Sequence, residues 1–438
     1  MSNKIIILLF ILGFLLRLSL SYIIPYPSYP EKLDDAHQYD VMALNILQGN
    51  GFSQKESAPF EPTICRTPIY PIFLASIFGI FGHSYTVVYI VQALMSALTA
   101  LMVYLIALNS LVDNKKQAAS LAYLLAILCP FLWFSARMLY TEVLFTFLVT
   151  LLILLIIYTL TKSNLWLYFI SGIITGLALL TRPAFAPLPI FLFLTMIMFN
   201  TEKDKLVGLL KKSLIYVIPV VLIWSTWVIR NYMIFNKFIP LSVASGSYLY
   251  LGTFSPNRYE KDFPMDMQEW ETYLFKEGDE ILSLDEEYRK KGIERIKEKP
   301  LTYIKYSIQR IPVLWISSFS HYFNIEDSMA QLRKQIKERI SQEEYFSVEL
   351  MKMLFKISLS FINVFYVSTG ILGIVLLLKY WRNYYPLLII PFYFTFVHMF
   401  LGQANVRYVL PAWPILIIFS AVGLLSFKNW IKTYIYRV

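Results

Sequence analysis

Apolar runs long enough to cross a lipid bilayer recur along almost the whole chain, and this recurrence limits the fold more than any single motif. A helix needs about 20 mostly apolar residues to cross the roughly 30 Å hydrocarbon core. Runs of that kind lie at 4–24, 86–111, 117–135, 142–161, 165–181, 184–199, 213–235, 355–379, 384–402 and 408–427. The bilayer core has no water to satisfy backbone N–H and C=O groups, so each run must close its hydrogen bonds within itself, which selects helices. Residues of the hydrophobic class make up 57% of the chain and charged ones only 16%. That balance excludes a water-soluble globule. The expected architecture is an all-α polytopic membrane protein with about ten transmembrane helices, plus or minus about two.

The net charge of +10 does not describe a nucleic-acid-binding face, because the Lys and Arg residues fall between apolar runs rather than along one surface. With alternating spans, Lys115, Lys116, Lys162, Lys203, Lys205, Lys211, Lys212, Lys379, Arg382, Lys428, Lys432 and Arg437 share one side. The positive-inside rule makes that side cytoplasmic, with both termini on it. The same parity places Arg137, Glu142, Arg182 and Arg230 outside, together with the 25–67 loop. The apolar piece at 69–81 is too short to cross and is expected to lie at the surface. Lys4 precedes the first span and no small-residue cleavage site follows it, so this span reads as an anchor. Arg17 interrupts that span and is read as snorkelling to the headgroups rather than as functional. Cys65 and Cys129 form no Cys-x-x-Cys pair, which argues against a disulfide framework or a zinc knuckle.

The first outer loop holds Asp34-Asp35-Ala36-His37-Gln38-Tyr39-Asp40, followed by Gly49-Asn50-Gly51-Phe52. Acids at a membrane surface are costly unless they are paired or in use. Asp35 and Tyr39 are four residues apart and share a face if the segment is helical. Gly49 and Gly51 then end that helix. Capping of the loop helix is the plainer role for any of Asp34, Asp35 and Asp40.

These residues resemble the first outer loop of the GT-C superfamily of lipid-linked glycosyltransferases, nearest to the protein O-mannosyltransferases and the lipid A aminoarabinose transferases (ArnT-like). The resemblance continues through Cys65-Arg66-Thr67-Pro68-Ile69-Tyr70-Pro71, through Thr141-Glu142 and most specifically through Gly-Ile-Ile-Thr-Gly-Leu-Ala-Leu-Leu-Thr-Arg-Pro at 172–183. It returns at Arg230-Asn231-Tyr232 and at Arg407-Tyr408 with Pro411 and Pro414. It implies a GT-C fold with surface helices in the first outer loop, and transfer of a hexosyl or pentosyl group from a polyprenyl-phosphate sugar to an acceptor hydroxyl. Asp35 takes the position of the family's acid and is the expected base. Glu142 matches the acid of the second outer loop and would need a partner such as Arg137, although an ion pair at a helix N-terminus explains it equally well. Asp34, Tyr39, Arg66, Arg137, Arg182, Arg230, Arg407 and Tyr408 are the expected substrate-binding residues, with Arg66 on the lipid phosphate because a guanidinium fork suits phosphate oxygens. A single displacement with one base would invert the anomeric centre.

Members of the superfamily differ in metal use, so a divalent ion stays open. His37 beside Asp35 is the candidate ligand, while the spacing of His37, His83, His321 and His398 weighs against a metal. The acceptor is a lipid, a protein or a cell-envelope glycan, and the expected location is the plasma membrane with the active site on its extracytoplasmic side. Three parts follow. Residues 1–252 form the module that carries the resemblance, with its outer loop at 25–67. Residues 253–354 form a variable outer loop or lid with amphipathic stretches at 285–299 and 326–344 and a membrane-dipping stretch at 311–319. Residues 355–438 supply the last spans. A transporter or lipid-sugar flippase is the competing class. It would show paired hydropathic repeats and polar groups near the midplane, whereas here the acids and arginines gather at one surface.

Overall fold

The computed structural model describes residues 1–23, 35–111, 114–162, 164–198, 206–256, 278–316, 342–402 and 404–435, and every regular element among them is a helix. The chain runs α1 (Asn3–Ile23), α2 (Asp35–Gln48), α3 (Ile69–Phe81), α4 (Tyr85–Ser110), α5 (Lys115–Leu128), α6 (Pro130–Ser135), α7 (Glu142–Thr161) and α8 (Leu165–Leu179). A 3-10 turn at Pro183–Phe185 leads into α9 (Leu188–Met198), α10 (Leu206–Phe235) and α11 (Ser245–Leu251). After these come α12 (Gly278–Glu298), α13 (Pro300–Ile316), α14 (Gln342–Leu378), α15 (Trp381–Phe400), a 3-10 segment at Val406–Ala412 and α16 (Trp413–Ile435).

Five described helical stretches are long and apolar enough to cross a membrane: Tyr85–Ser110, Glu142–Thr161, Val207–Phe235, Ile357–Leu378 and Val406–Asn429. Of the others, Ile69–Phe81, Leu165–Leu179 and Pro183–Met196 are apolar but shorter. Three of the expected spans differ in detail. The run at 117–135 is two helices, broken at Cys129 because Pro130 has no N–H to continue the first. The run expected from 184 begins as a 3-10 turn, and its α-helix starts only at Leu188, since Pro183, Pro187 and Pro189 crowd its start. The span expected at 355–379 is the second half of a 37-residue helix. Most of the expected 326–344 helix lies outside the described residues.

The core centres on α7 and α16, whose side chains are buried on nearly all sides, among them Val149, Leu152, Ile156, Ile417, Ile418 and Phe419. By contrast α10 shows Val207, Leu222 and Met233 to its surroundings, the pattern of a helix facing lipid. Arg17 does not snorkel. It is fully buried, donating from Nε to Ser96 Oγ at 2.8 Å and from its two other nitrogens to the carbonyls of Gly13 (2.8 Å) and Ala126 (3.2 Å). Those acceptors exist only once α1, α4 and α5 have packed, so the side chain staples three helices.

The Gly172-x-x-x-Gly176 spacing does permit close helix contact. A Cβ on Gly172 would lie 2.2 Å from the Tyr216 carbonyl oxygen of α10, a backbone atom that cannot rotate away. Gly172→Val should therefore prise α8 from α10 and lower the melting temperature of the detergent-solubilised protein, with a cost of about 1–3 kcal/mol typical of overpacking. An unchanged melting temperature would show that the contact is dispensable.

Candidate active site

Three loops and two helix starts meet at one end of the bundle. Asp35 opens α2, where the exposed N–H groups of a helix start favour an acid. Helix α2 ends at Gln48, and Gly49 takes φ +78°, a left-handed conformation that glycine adopts without strain. Within α2, Asp35 and Tyr39 face the same cavity, as their spacing requires. Arg66 sits on the link into α3, which is pinned to the end of α8 by Thr67 Oγ1 donating to the Thr181 carbonyl (2.9 Å) and by Ile69 N donating to the Leu180 carbonyl (3.2 Å). Glu142 is the first residue of α7. Arg182 follows α8. Arg407 lies in the 3-10 segment, whose start is held by Asn405 Oδ1 accepting from the Arg407 N–H at 3.1 Å.

The charged side chains form one alternating array: Arg66, Asp35, Arg407, Glu142, Arg182. Arg66 Nη2 donates to Asp35 Oδ1, and Arg407 Nη2 donates to Asp35 Oδ2 at 2.8 Å. Arg407 Nε stands 3.5 Å from Glu142 Oε1, which also accepts from Arg182 Nη1 at 3.2 Å. Gln38 orients the first member by accepting from Arg66 Nε at 2.9 Å. Among the described residues, the three guanidinium groups and two carboxylates of this array carry a net charge of one positive. Burial pushes the Asp35 carboxyl up, but the charges and hydrogen bonds of Arg66 and Arg407 outweigh it and hold the group well below the usual carboxylate range. Burial likewise opposes the charge on Arg66, yet the Asp35 carboxylate raises its pKa further. The Tyr39 hydroxyl is pushed up by burial.

Around this array is a cavity of about 270 Å³, toward the small end for ligand pockets. Its walls include four tyrosines, Tyr39, Tyr140, Tyr248 and Tyr408, with His398 stacked on Tyr408 at 5.0 Å between ring centres. The Arg182 guanidinium lies 5.3 Å from the centre of the Tyr408 ring, and that of Arg407 lies 5.1 Å from the Tyr140 ring.

Several expected residues fall elsewhere. Arg230 is outside the cavity, donating to the Thr63 carbonyl (2.9 Å) and to Asn231 Oδ1 (2.9 Å) beneath the Phe52 ring, so it braces the first outer loop. Arg137 is buried but does not line the cavity. The partners of Glu142 are Arg182 and Arg407 rather than Arg137. Asp40 is fully buried against His83 Nε2 (2.8 Å) and the Tyr85 hydroxyl (2.9 Å). Asp34 lies outside the described residues. His37 points away from the cavity to Glu56, 2.9 Å distant. Among the described residues no group of three or more His, Cys, Asp and Glu could hold a metal, and both cavity acids are engaged by guanidinium groups. The described donor set therefore does not fit a metal. Sequence reasoning missed Tyr140 and Tyr248, which line the cavity and lie inside the 1–252 module but in none of the motifs singled out there.

The fold is that of a polytopic all-α membrane protein of the GT-C type. Residues 65–229, less than half of the chain, match the family model described as dolichyl-phosphate-mannose-protein mannosyltransferase. This match contains Arg66, Glu142 and Arg182 but neither Asp35 nor Arg407. No curated protein matches the chain in sequence. Among solved structures, the oligosaccharyltransferase of Archaeoglobus fulgidus in its apo form is 14% identical with a TM-score of 0.53, over 100% of this chain and 52% of that one. The same organism's oligosaccharyltransferase AglB, in complex with an inhibitory peptide and a dolichol-phosphate, is 14% identical with a TM-score of 0.51, over 99% of this chain and 51% of that one. This chain thus spans about half the length of those structures. ArnT from Cupriavidus metallidurans bound to undecaprenyl phosphate gives 12% identity and a TM-score of 0.40, over 97% of this chain and 79% of that one.

Proposed function

We propose that the protein is an integral membrane glycosyltransferase that moves one sugar from a polyprenyl-phosphate donor to an acceptor hydroxyl, with inversion, on the extracytoplasmic face. The observation that carries this reading is the five-residue charge array lining a small cavity. A polyprenyl-phosphate sugar is a phosphodiester with one negative charge, which matches the net positive charge of these five side chains. Asp35 takes the proton from the acceptor hydroxyl, the acceptor oxygen bonds to the anomeric carbon, and the bond from that carbon to the phosphate oxygen breaks, its electron pair leaving on the phosphate. The departing polyprenyl phosphate then carries a second negative charge. Asp35 is neutral at that point, so Arg66 and Arg407 are released to hold it. Charge stays balanced from donor to product.

Both oxygens of Asp35 accept from guanidinium groups, which makes it a weak base. Donor phosphate competes for the same cations, so binding of the donor raises the basicity of Asp35. The acid limb of kcat, which reports the bound enzyme, should accordingly lie at higher pH than the acid limb of kcat/KM, which reports the free enzyme. Coincident limbs would show that the phosphate does not take over Arg66 and Arg407. The lowered Asp35 value also adds stability above its unfolded value near 3.9 that fades as pH falls toward the folded one.

The direct test is turnover. Detergent-solubilised protein given a radiolabelled polyprenyl-phosphate sugar and membrane extract should strip the sugar and deliver it to an acceptor, whereas a flippase has no measurable work without an intact bilayer. The side of the membrane follows from charge parity: Glu142 and Lys162 sit at opposite ends of the 20-residue α7, about 30 Å apart. Cysteine introduced at Lys55 should react with an impermeant thiol reagent applied from outside, and cysteine at Lys115 should not. Labelling of Lys115→Cys from outside would reverse the orientation.

A further inference from the structure

Helix α12 belongs to the outer segment that carries no recognisable motif and is mostly polar, yet one face of it is built to hold another element. Ile281, Asp285, Tyr288 and Gly292 recur at helical spacing, and all four meet α11 or its surroundings. Ile281 is fully buried in a small core with Ile64, Cys65, Val243 and Leu251, separate from the main bundle core. Tyr288 stacks on Tyr250 of α11 with ring centres 5.5 Å apart. A Cβ on Gly292 would lie 3.1 Å from the Tyr250 backbone nitrogen.

Asp285 is the polar member of this face and is itself buried. Its Oδ1 accepts from the backbone N–H of Gly246 (2.8 Å) and of Ser247 (3.2 Å), and its Oδ2 accepts from Arg289 at 3.0 Å. The two amides belong to the first turn of α11, where helical donors have no partner within the helix. The contact is tight enough that a Cβ on Gly246 would lie 1.9 Å from the Asp285 carbonyl oxygen. The residue after these two is Tyr248, a wall of the cavity. Its ring lies against Gly402, where a Cβ would come within 2.6 Å of it, and Gly402 adopts φ +62° on the link that leads to Arg407.

On the reading of this cavity as a glycosyl-transfer site, we infer that Asp285 is a positioning residue: by gripping the start of α11 it seats Tyr248 against the link that leads to Arg407 and fixes that part of the cavity wall. The outer segment then acts on the reaction from behind the cavity wall. Misplacing a reacting group by about 1 Å costs on the order of a hundredfold in rate. Asp285→Ala should therefore lower kcat by about ten- to a hundredfold while the melting temperature shows the protein folded. Asp285→Asn keeps an oxygen for both amides and should stay close to wild type. Tyr248→Ala should lose as much as Asp285→Ala, and the double variant should lose no more than the larger single loss, because both changes remove one function.

Gly246→Ala pushes α11 off α12 with Asp285 intact and should reproduce the same loss, so the idea remains testable if Asp285→Ala folds poorly. A readout that needs no turnover is the rate of maleimide modification of Cys65, which is buried beside Ile281: loosening the α11–α12 contact should speed it in Asp285→Ala. Losses that multiply in the double variant, or a folded Asp285→Ala with wild-type kcat and wild-type Cys65 labelling, would overturn the positioning role. Absence of transfer by the wild type would overturn the transferase reading instead, and Cys65 labelling would still decide whether Asp285 holds the wall in place.

Discussion

Asp35→Asn is expected to abolish sugar transfer while leaving polyprenyl-phosphate binding intact or slightly tighter. The amide keeps the shape of the carboxylate and loses its basicity, so the step that fails is removal of the acceptor proton, an effect worth about 10²- to 10⁴-fold. Binding survives for a reason visible in the array. Asp35 engages Arg66 and Arg407, and an uncharged Asn puts an NH2 donor where one of the two carboxylate oxygens stood, so one guanidinium loses its acceptor and becomes available to phosphate. Titration with polyprenyl phosphate and single-turnover transfer separate the two effects. Full transfer by Asp35→Asn would move the base to Glu142, the other cavity acid. Asp40 is a poor alternative, being shut away against His83 and Tyr85.

Arg407→Ala should be the most damaging of the arginine substitutions, because Arg407 alone touches both acids. Its removal leaves Asp35 with Arg66 only and Glu142 with Arg182 only, and brings two carboxylates together across the space it vacates. Loss of one partner from a buried ion pair costs about 3–5 kcal/mol; Arg407 is 20% exposed, so water screens part of this and about 1–3 kcal/mol is expected. Donor affinity and turnover should fall together, since a contact to phosphate acts in both the ground state and the transition state. Arg407→Lys should recover stability better than turnover, because a single ammonium cannot fork between two acids. Thermal unfolding, polyprenyl-phosphate titration and kcat measured on the same preparations check this. Unchanged donor affinity in Arg407→Ala would pass the phosphate to Arg66 and Arg182.

The sequence alone determined whatever depends on near neighbours along the chain. Helices follow from apolar runs in a solvent that cannot satisfy backbone polar groups, and Glu142–Thr161 forms where the chain is most apolar. The shared face of Asp35 and Tyr39, the stop at Gly49 and the close approach at Gly172 are also matters of local spacing. Only the tertiary structure decided who meets whom. Glu142 passes over Arg137, five residues away, for Arg182 and Arg407, and Asp35 finds Arg407 across 372 residues. Arg17 finds three acceptors inside the bundle that no reading of α1 could supply, and Tyr248 reaches the cavity because Asp285 of a distant helix holds α11 there. The physical reason is range. Helix propensity and apolar period act over a few residues, whereas a buried charge is stabilised by whichever countercharge packing brings within about 4 Å, and packing is a property of the whole chain.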